Sequence, residues 1–154
     1  MTQQSSTSTE VTVTRVLDAP RELVFEAWTD AKRLARWWGP DVFTNPVCEV
    51  DARPGGTMRI VMRGPDGTDY PMSATFHEVV TPERLVFLAV AEDDRGNALL
   101  QALTTVTFED VQGKTRVTVK ASGTPRAPIG DEYLKGMEEG WQQSLNSLAA
   151  EVHG

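Results

Sequence analysis

Residues 131–152 read DEYLKGMEEGWQQSLNSLAAEV. Tyr133, Met137, Trp141, Leu145 and Leu148 follow one another at intervals of four, four, four and three, which places them on one face of a helix. Lys135, Glu138, Glu139, Gln142 and Asn146 fill the opposite face. The helix is long and amphipathic, so its apolar stripe must lie on another element, with Trp141 expected to be buried there. Gly136 and Gly140 sit one turn apart at the edge of the stripe. Glycine inside a helix costs about 1 kcal/mol relative to alanine. The pair therefore signals either close approach of a neighbouring element or space left beside the helix.

What precedes this helix reads as strands. Alternating and β-branched segments predict strands at about 47–53, 57–63, 70–80, 84–92, 99–109 and 115–122. Turn chemistry separates them: Pro54-Gly55-Gly56, Gly64-Pro65-Asp66-Gly67, Thr81-Pro82-Glu83, residues 93–97 and Gln112-Gly113. Short sequential connections imply antiparallel neighbours. Gly123 to Gly130 is a loop rich in proline and glycine. Earlier still, residues 10–17 alternate as a strand, with Val11 and Val13 on one side. Pro20 suits a first helical turn, and Glu22 is placed to return to the backbone at Ala19. Leu23, Val24, Ala27 and Trp28 form the stripe of a short helix. Asp30 can cap a second one ending at Trp38, where Gly39 and Pro40 stop it. The order is strand, two helices, six strands, long helix. This is an α+β architecture in which a curved antiparallel sheet needs a cover, and only the last helix is long enough to supply it.

The chain has 154 residues, enough for one domain with its own core. Residues 10–152 are expected to form that domain, and residues 1–9, polar and rich in Ser, Thr and Gln, a disordered tail. The net charge is −7 with Lys and Arg scattered, which opposes nucleic acid and anionic membrane as partners. One cysteine, Cys48, excludes an internal disulfide and points to a reducing cytoplasm. The chain shows no signal peptide, and no segment reaches the apolar length of a membrane helix.

The chemistry of a reaction centre is sparse. The two histidines are His77, on a strand, and His153, at the chain end. A metal site needs clustered ligands and a hydrolytic triad needs a positioned base, so neither a metal nor another cofactor is expected. Arg53-Pro54-Gly55-Gly56 is a hairpin turn, not a phosphate loop, because no helix follows it. Glu78 and His77, adjacent on a strand and so facing opposite sides, are the acid–base candidates, with Glu78 the preferred one. Strand alternation would bring it to the same side as Phe76, paired with Arg59 or Arg63. Trp28, Trp37, Trp38, Phe76, Phe87, Met137, Gly140 and Trp141 are the candidate cavity lining, the plain alternative for each aromatic being core packing. Residues 84–92 are apolar on both faces, which points to a covering partner and a homodimer.

The pattern resembles the START-like, or Bet v 1-like (SRPBCC), helix-grip superfamily, and within it the bacterial homologues of the activator of heat-shock protein 90 ATPase. The resemblance rests on Ala19-Pro20 with Leu23-Val24-Phe25 and Trp28; on Trp37-Trp38-Gly39-Pro40; on Asp51 with Arg53-Pro54-Gly55-Gly56; on Gly64-Pro65-Asp66-Gly67; on Glu78-Val79 with residues 82–87; and on Gly140-Trp141. It spans Val13 to Leu148. It implies a cavity between helix and sheet, but no shared activity, because the superfamily hosts carriers, sequestering proteins, cyclases and chaperone partners. The expected function is binding of a small hydrophobic or amphipathic molecule. The alternatives are a cyclase- or hydrolase-like enzyme using Glu78, and a chaperone-activator module. The last is expected least, because the extra N-terminal domain of the eukaryotic activators is missing.

Overall fold

The computed structural model describes residues 8–153. Its elements are β1 (Thr9–Leu17), α1 (Arg21–Thr29), α2 (Ala31–Trp37), β2 (Thr44–Val50), β3 (Thr57–Arg63), β4 (Asp69–Val80), β5 (Arg84–Glu92), β6 (Ala98–Val111), β7 (Lys114–Pro125) and α3 (Gly130–His153). The seven strands form one antiparallel sheet in the order β1-β7-β6-β5-β4-β3-β2. The sheet curves round α3, as the helix-grip expectation has it. Most of the expected tail lies outside the described residues. Thr9 already belongs to β1, paired with Gly123.

Three local features depart from the sequence reading. The first concerns β2, which begins before Pro46 and ends at Val50. An edge strand tolerates proline, and the register slips between Thr44 and Val47 to accommodate it. After Val50 the ladder closes as Asp51 N–H donates to the Thr57 carbonyl, and the chain turns with Gly56 N–H on the Arg53 carbonyl. A Cβ on Gly56 would collide with the Asp51 carbonyl, so this turn requires glycine. The second is Pro20, which acts as the N-cap residue of α1. No side chain caps that helix, so the expected return of Glu22 is not made. The third is β4, whose register shifts between Phe76 and Glu78. Elsewhere the punctuation behaves as read. Asp30 accepts from Arg33 N–H at 3.1 Å, capping α2, and Gly39 takes φ 95° just past its end.

The core sits on the concave side and extends across the sheet from β1 to Ile60 of β3. Leu17, Val24, Leu34, Val106, Val117, Leu145 and Leu148 are all inaccessible or nearly so. Four tryptophans knit the helices together. Trp28 meets Trp37 edge-on at 4.7 Å, stacks on Trp141 at 5.8 Å and 18°, and meets Trp38 edge-on at 6.2 Å. Trp37 Nε1–H donates to the Ala27 carbonyl at 2.9 Å, locking α2 onto α1. At the far end His153 Nε2 accepts from the Asp18 N–H at 3.0 Å, so the last turn of α3 is tied to the end of β1.

α3 is buried mainly along one half. Ser144, Leu145, Leu148, Ala149 and Val152 are buried, whereas between Asp131 and Gln143 no residue is. Trp141, expected to be buried, is instead partly accessible. Its inner side packs on Trp28, and its other surface is not covered by the sheet. The two tryptophans should therefore separate in a stability measurement. Trp28→Ala should cost the about 3–5 kcal/mol of a buried aromatic deletion, and Trp141→Ala clearly less, read from urea midpoints at constant m-value. Equal losses would mean that Trp141 is as much a core residue as Trp28.

Candidate functional site

The uncovered part of α3 overhangs a cavity of about 240 Å³. Its roof is Tyr133, Met137, Gly140, Trp141 and Ser144 from α3. Its floor is Met62 of β3, Tyr70, Pro71 and Met72 of β4, Ala91 of β5 and Leu100 of β6. Trp38, Gly39 and Pro40, from the link between α2 and β2, close one side. The floor follows from register: Met62 lies opposite Tyr70, and a row runs from Met72 through Ala91 to Leu100 across three strands.

Side-chain volume explains why the space is there. One step along the sheet, a second inward-facing row runs Ala74, Ala89, Ala102, Gly123 over four strands. Ala89, Ala91 and Ala102 point toward α3 yet stay partly accessible, because nothing fills the space above them. α3 approaches the sheet closely at its first residue, Gly130, where a Cβ would collide with the Leu99 carbonyl, and at Gly123, where a Cβ would meet Leu134 Cδ2 at 2.6 Å and Met137 Cε at 3.3 Å. Beside Gly136 and Gly140 the reverse holds: an added Cβ meets nothing within 4 Å. Of the two readings of that glycine pair, space beside the helix is the one the structure contains.

The cavity is apolar and uncharged, since no Asp, Glu, Lys, Arg or His lines it. Its polar groups are hydroxyls. Burial, then the neighbouring Tyr70, pushes the Tyr133 phenol up from its ordinary value, so it remains an O–H donor well above neutral pH. Ser144 Oγ accepts the Gly39 N–H at 3.2 Å, joining the roof to the side wall.

Of the sequence-derived candidates, Trp38, Met137, Gly140 and Trp141 converge on this cavity. Trp28, Trp37, Phe76 and Phe87 do not reach it. They are 1–2% exposed and belong to the core layer behind. Phe76 packs edge-on to Phe87 at 5.8 Å. Glu78 is placed elsewhere altogether. The β-bulge at His77 turns the following residues over, so Glu78 sits opposite Val86 on the outer face. There it pairs with Arg84 at 3.3 Å, half-exposed. The expected partners are engaged otherwise, Arg59 with Glu92 at 3.7 Å and Arg63 with Asp69 at 2.7 Å. Met62, Tyr70, Met72, Ala91, Leu100 and Tyr133 were not on the candidate list. Tyr133 could have been added, lying one turn before Met137 on the same stripe; the others needed the strand register.

Among the described residues, no three His, Cys, Asp or Glu side chains gather as metal ligands, and no helix is long and apolar enough to cross a membrane. The outer face of β5 is partly covered within the chain itself: Val86 is buried and Leu88 and Val90 half-buried. Cys48 is half-buried on β2, and its thiol is pushed up to about 11 by burial, with Asp30 and Glu49 adding to the effect. At pH 8 it should react with a thiol reagent about a hundredfold more slowly than free cysteine. A native-state labelling time course checks this, and a rate near that of the unfolded chain would contradict the burial.

The sequence matches the family described as Activator of Hsp90 ATPase homolog 1-like protein over residues 18–153. No functionally curated protein matches it. Solved structures agree in fold along nearly the whole length. A protein from Chromobacterium violaceum is 31% identical with a TM-score of 0.79, covering 94% of this chain and 97% of its own. The AHSA1 protein from Silicibacter pomeroyi is 26% identical with a TM-score of 0.80, covering 94% and 98%. A protein from Mycobacterium smegmatis is 29% identical with a TM-score of 0.77, covering 92% and 88%.

Proposed function

The chain belongs to the Activator of Hsp90 ATPase homolog 1-like family, and within that fold we propose that it binds a small hydrophobic or amphipathic molecule in the cavity beneath α3. One observation carries this reading. Protein interiors are close-packed, yet here about 240 Å³ of apolar space lies between helix and sheet. Preformed apolar clefts with a few polar groups are the usual form of a small-molecule site. Burial of apolar ligand surface would supply the affinity, and the Tyr70, Tyr133 and Ser144 hydroxyls the orientation. No cofactor enters the mechanism. A reducing, aqueous compartment such as the cytoplasm suits the single thiol of Cys48.

The acid–base alternative finds no support in the geometry. Glu78 lies on the outer face beside Arg84, and the cavity contains no carboxylate or imidazole. A chaperone-activator role draws only on the family's description.

Gly140→Leu tests the site. Its Cβ enters open space, so the fold tolerates it, and replacing a helical glycine raises or preserves the denaturation midpoint. Binding of prodan (6-propionyl-2-dimethylaminonaphthalene), a neutral, environment-sensitive two-ring dye, should fall at least about tenfold, a loss of about 1.4 kcal/mol. Undiminished dye binding by the folded variant would place the dye, and the proposed site, elsewhere. Native mass spectrometry of the purified wild type would show directly whether a small molecule is retained.

A further inference from the structure

Resting on that reading, we infer that the cavity selects a small, flat, uncharged aromatic molecule carrying an acceptor oxygen, rather than a fatty chain, a sterol or a carboxylic acid. Size gives the first limit. The volume of about 240 Å³ falls below the roughly 300–1,000 Å³ usual for ligand pockets. A long acyl chain or a four-ring skeleton would leave most of its surface in water.

Charge gives the second limit. The lining supplies no cation. A carboxylate entering it would lose its hydration with nothing to replace it, and the chain's net charge of −7 adds to that cost.

Shape and surface chemistry give the third. Four of the lining side chains are aromatic (Trp38, Tyr70, Tyr133, Trp141) and three are methionine. Trp141 is the platform. One indole face is stacked on Trp28 at 5.8 Å and 18°, and the Trp38 ring stands nearly perpendicular to it at 5.4 Å. Trp141 also lines the cavity, so what it offers a ligand is ring surface not already stacked on Trp28. A flat ligand laid there extends the stack as a third layer, with the Trp38 ring standing at its side. Offset stacking and sulfur–ring contacts both reward an aromatic ligand over a saturated one of equal area.

Ser144 sets the polar contact. It is 5% exposed, and its Oγ already accepts the Gly39 N–H. Its own O–H has no acceptor among the described residues, so it is left to donate to a ligand oxygen three residues beyond Trp141 along the same helix.

Calorimetric titration of the full chain with three probes tests this: 2-naphthol, decahydro-2-naphthol, which keeps the hydroxyl and the two-ring skeleton but is saturated, and naphthalene-2-carboxylate at pH 7. The expected order puts 2-naphthol first, at least about tenfold tighter than either of the others. Trp141→Leu should abolish the preference of naphthol over its saturated analogue. Ser144→Ala should weaken naphthol while leaving unsubstituted naphthalene, titrated as a fourth probe, unchanged; both comparisons are made on variants whose circular dichroism matches wild type. Equal or tighter binding of decahydro-2-naphthol or of the carboxylate by wild type would overturn the aromatic, uncharged selectivity while leaving the cavity a binding site. Failure of every probe, prodan included, would overturn the binding reading itself.

Discussion

Everything distinctive in this molecule follows from α3 being buried along its C-terminal half, while its N-terminal half touches the sheet only at Gly130 and beside Gly123. Leu145, Leu148, Ala149 and Val152 are buried there, and His153 fastens the last turn to β1. A sheet with one apolar face must be covered; this half-helix lies on β1, β7 and the adjoining end of β6, and α2 lies on β2, so that Ile60 of β3, Phe76 of β4 and Phe87 of β5 are also buried. The other half of α3 projects over β3–β6 without closing on them. The cavity is thus the uncovered remainder of the sheet's inner face.

The tryptophan cluster is where the two halves meet. Trp28 and Trp37 form its inner layer, inaccessible and edge-on to each other, with an indole N–H of α2 bonded back to α1. Trp38 and Trp141 form its outer layer, with their free surfaces on the cavity. The division arises at adjacent positions in sequence. Trp37 is the last residue of α2 and points inward, whereas Trp38 has already left the helix at ψ 135° and turns to the cavity. Core and site therefore share a wall, and the rigidity of the packed layer passes to the layer that would touch a ligand. Trp28 Nε1 is buried without an acceptor, a cost the surrounding aromatic contacts offset.

Periodicity sufficed for the architecture, because it reports which residues must be buried. The interval of four along residues 133–145, the proline and glycine turns and the Gly39-Pro40 stop led directly to the element order. The site was half legible for the same reason. Helix positions follow from a fixed period, so Met137, Gly140 and Trp141 could be placed. Sheet positions depend on which strand residues lie side by side, and one extra residue reverses every face beyond it. The bulge at His77 did this to Glu78, and no turn residue marks it. The floor of Met62, Met72, Ala91 and Leu100 likewise emerges only once three strands are in register. Large aromatics drew attention in the sequence, but Trp28, Trp37, Phe76 and Phe87 are buried because they are large. The residues that make the space are small: Ala89, Ala91, Ala102 and Gly140.

That trade between filling and leaving space has a magnitude. A sealed apolar void of about 240 Å³ would cost about 6 kcal/mol at the usual rate per unit volume, against a total stability of about 5–15 kcal/mol for a domain. Two features lower the cost here. The cavity opens to solvent, so its lining is partly wetted rather than stripped of contacts. Its roof also contributes little to the core, since Tyr133, Met137, Gly140 and Trp141 are only partly buried. Stability is thus concentrated in one half of the grip and the void in the other. Substitutions on the cavity side, at Gly140 or Ala91, change volume where little packing depends on it. Substitutions at Leu145 or Leu148 strike the anchor. A ligand that fills the space adds its binding free energy to the native state alone, and with four of the lining side chains being aromatic rings, that gain is largest for a molecule flat enough to join their stack.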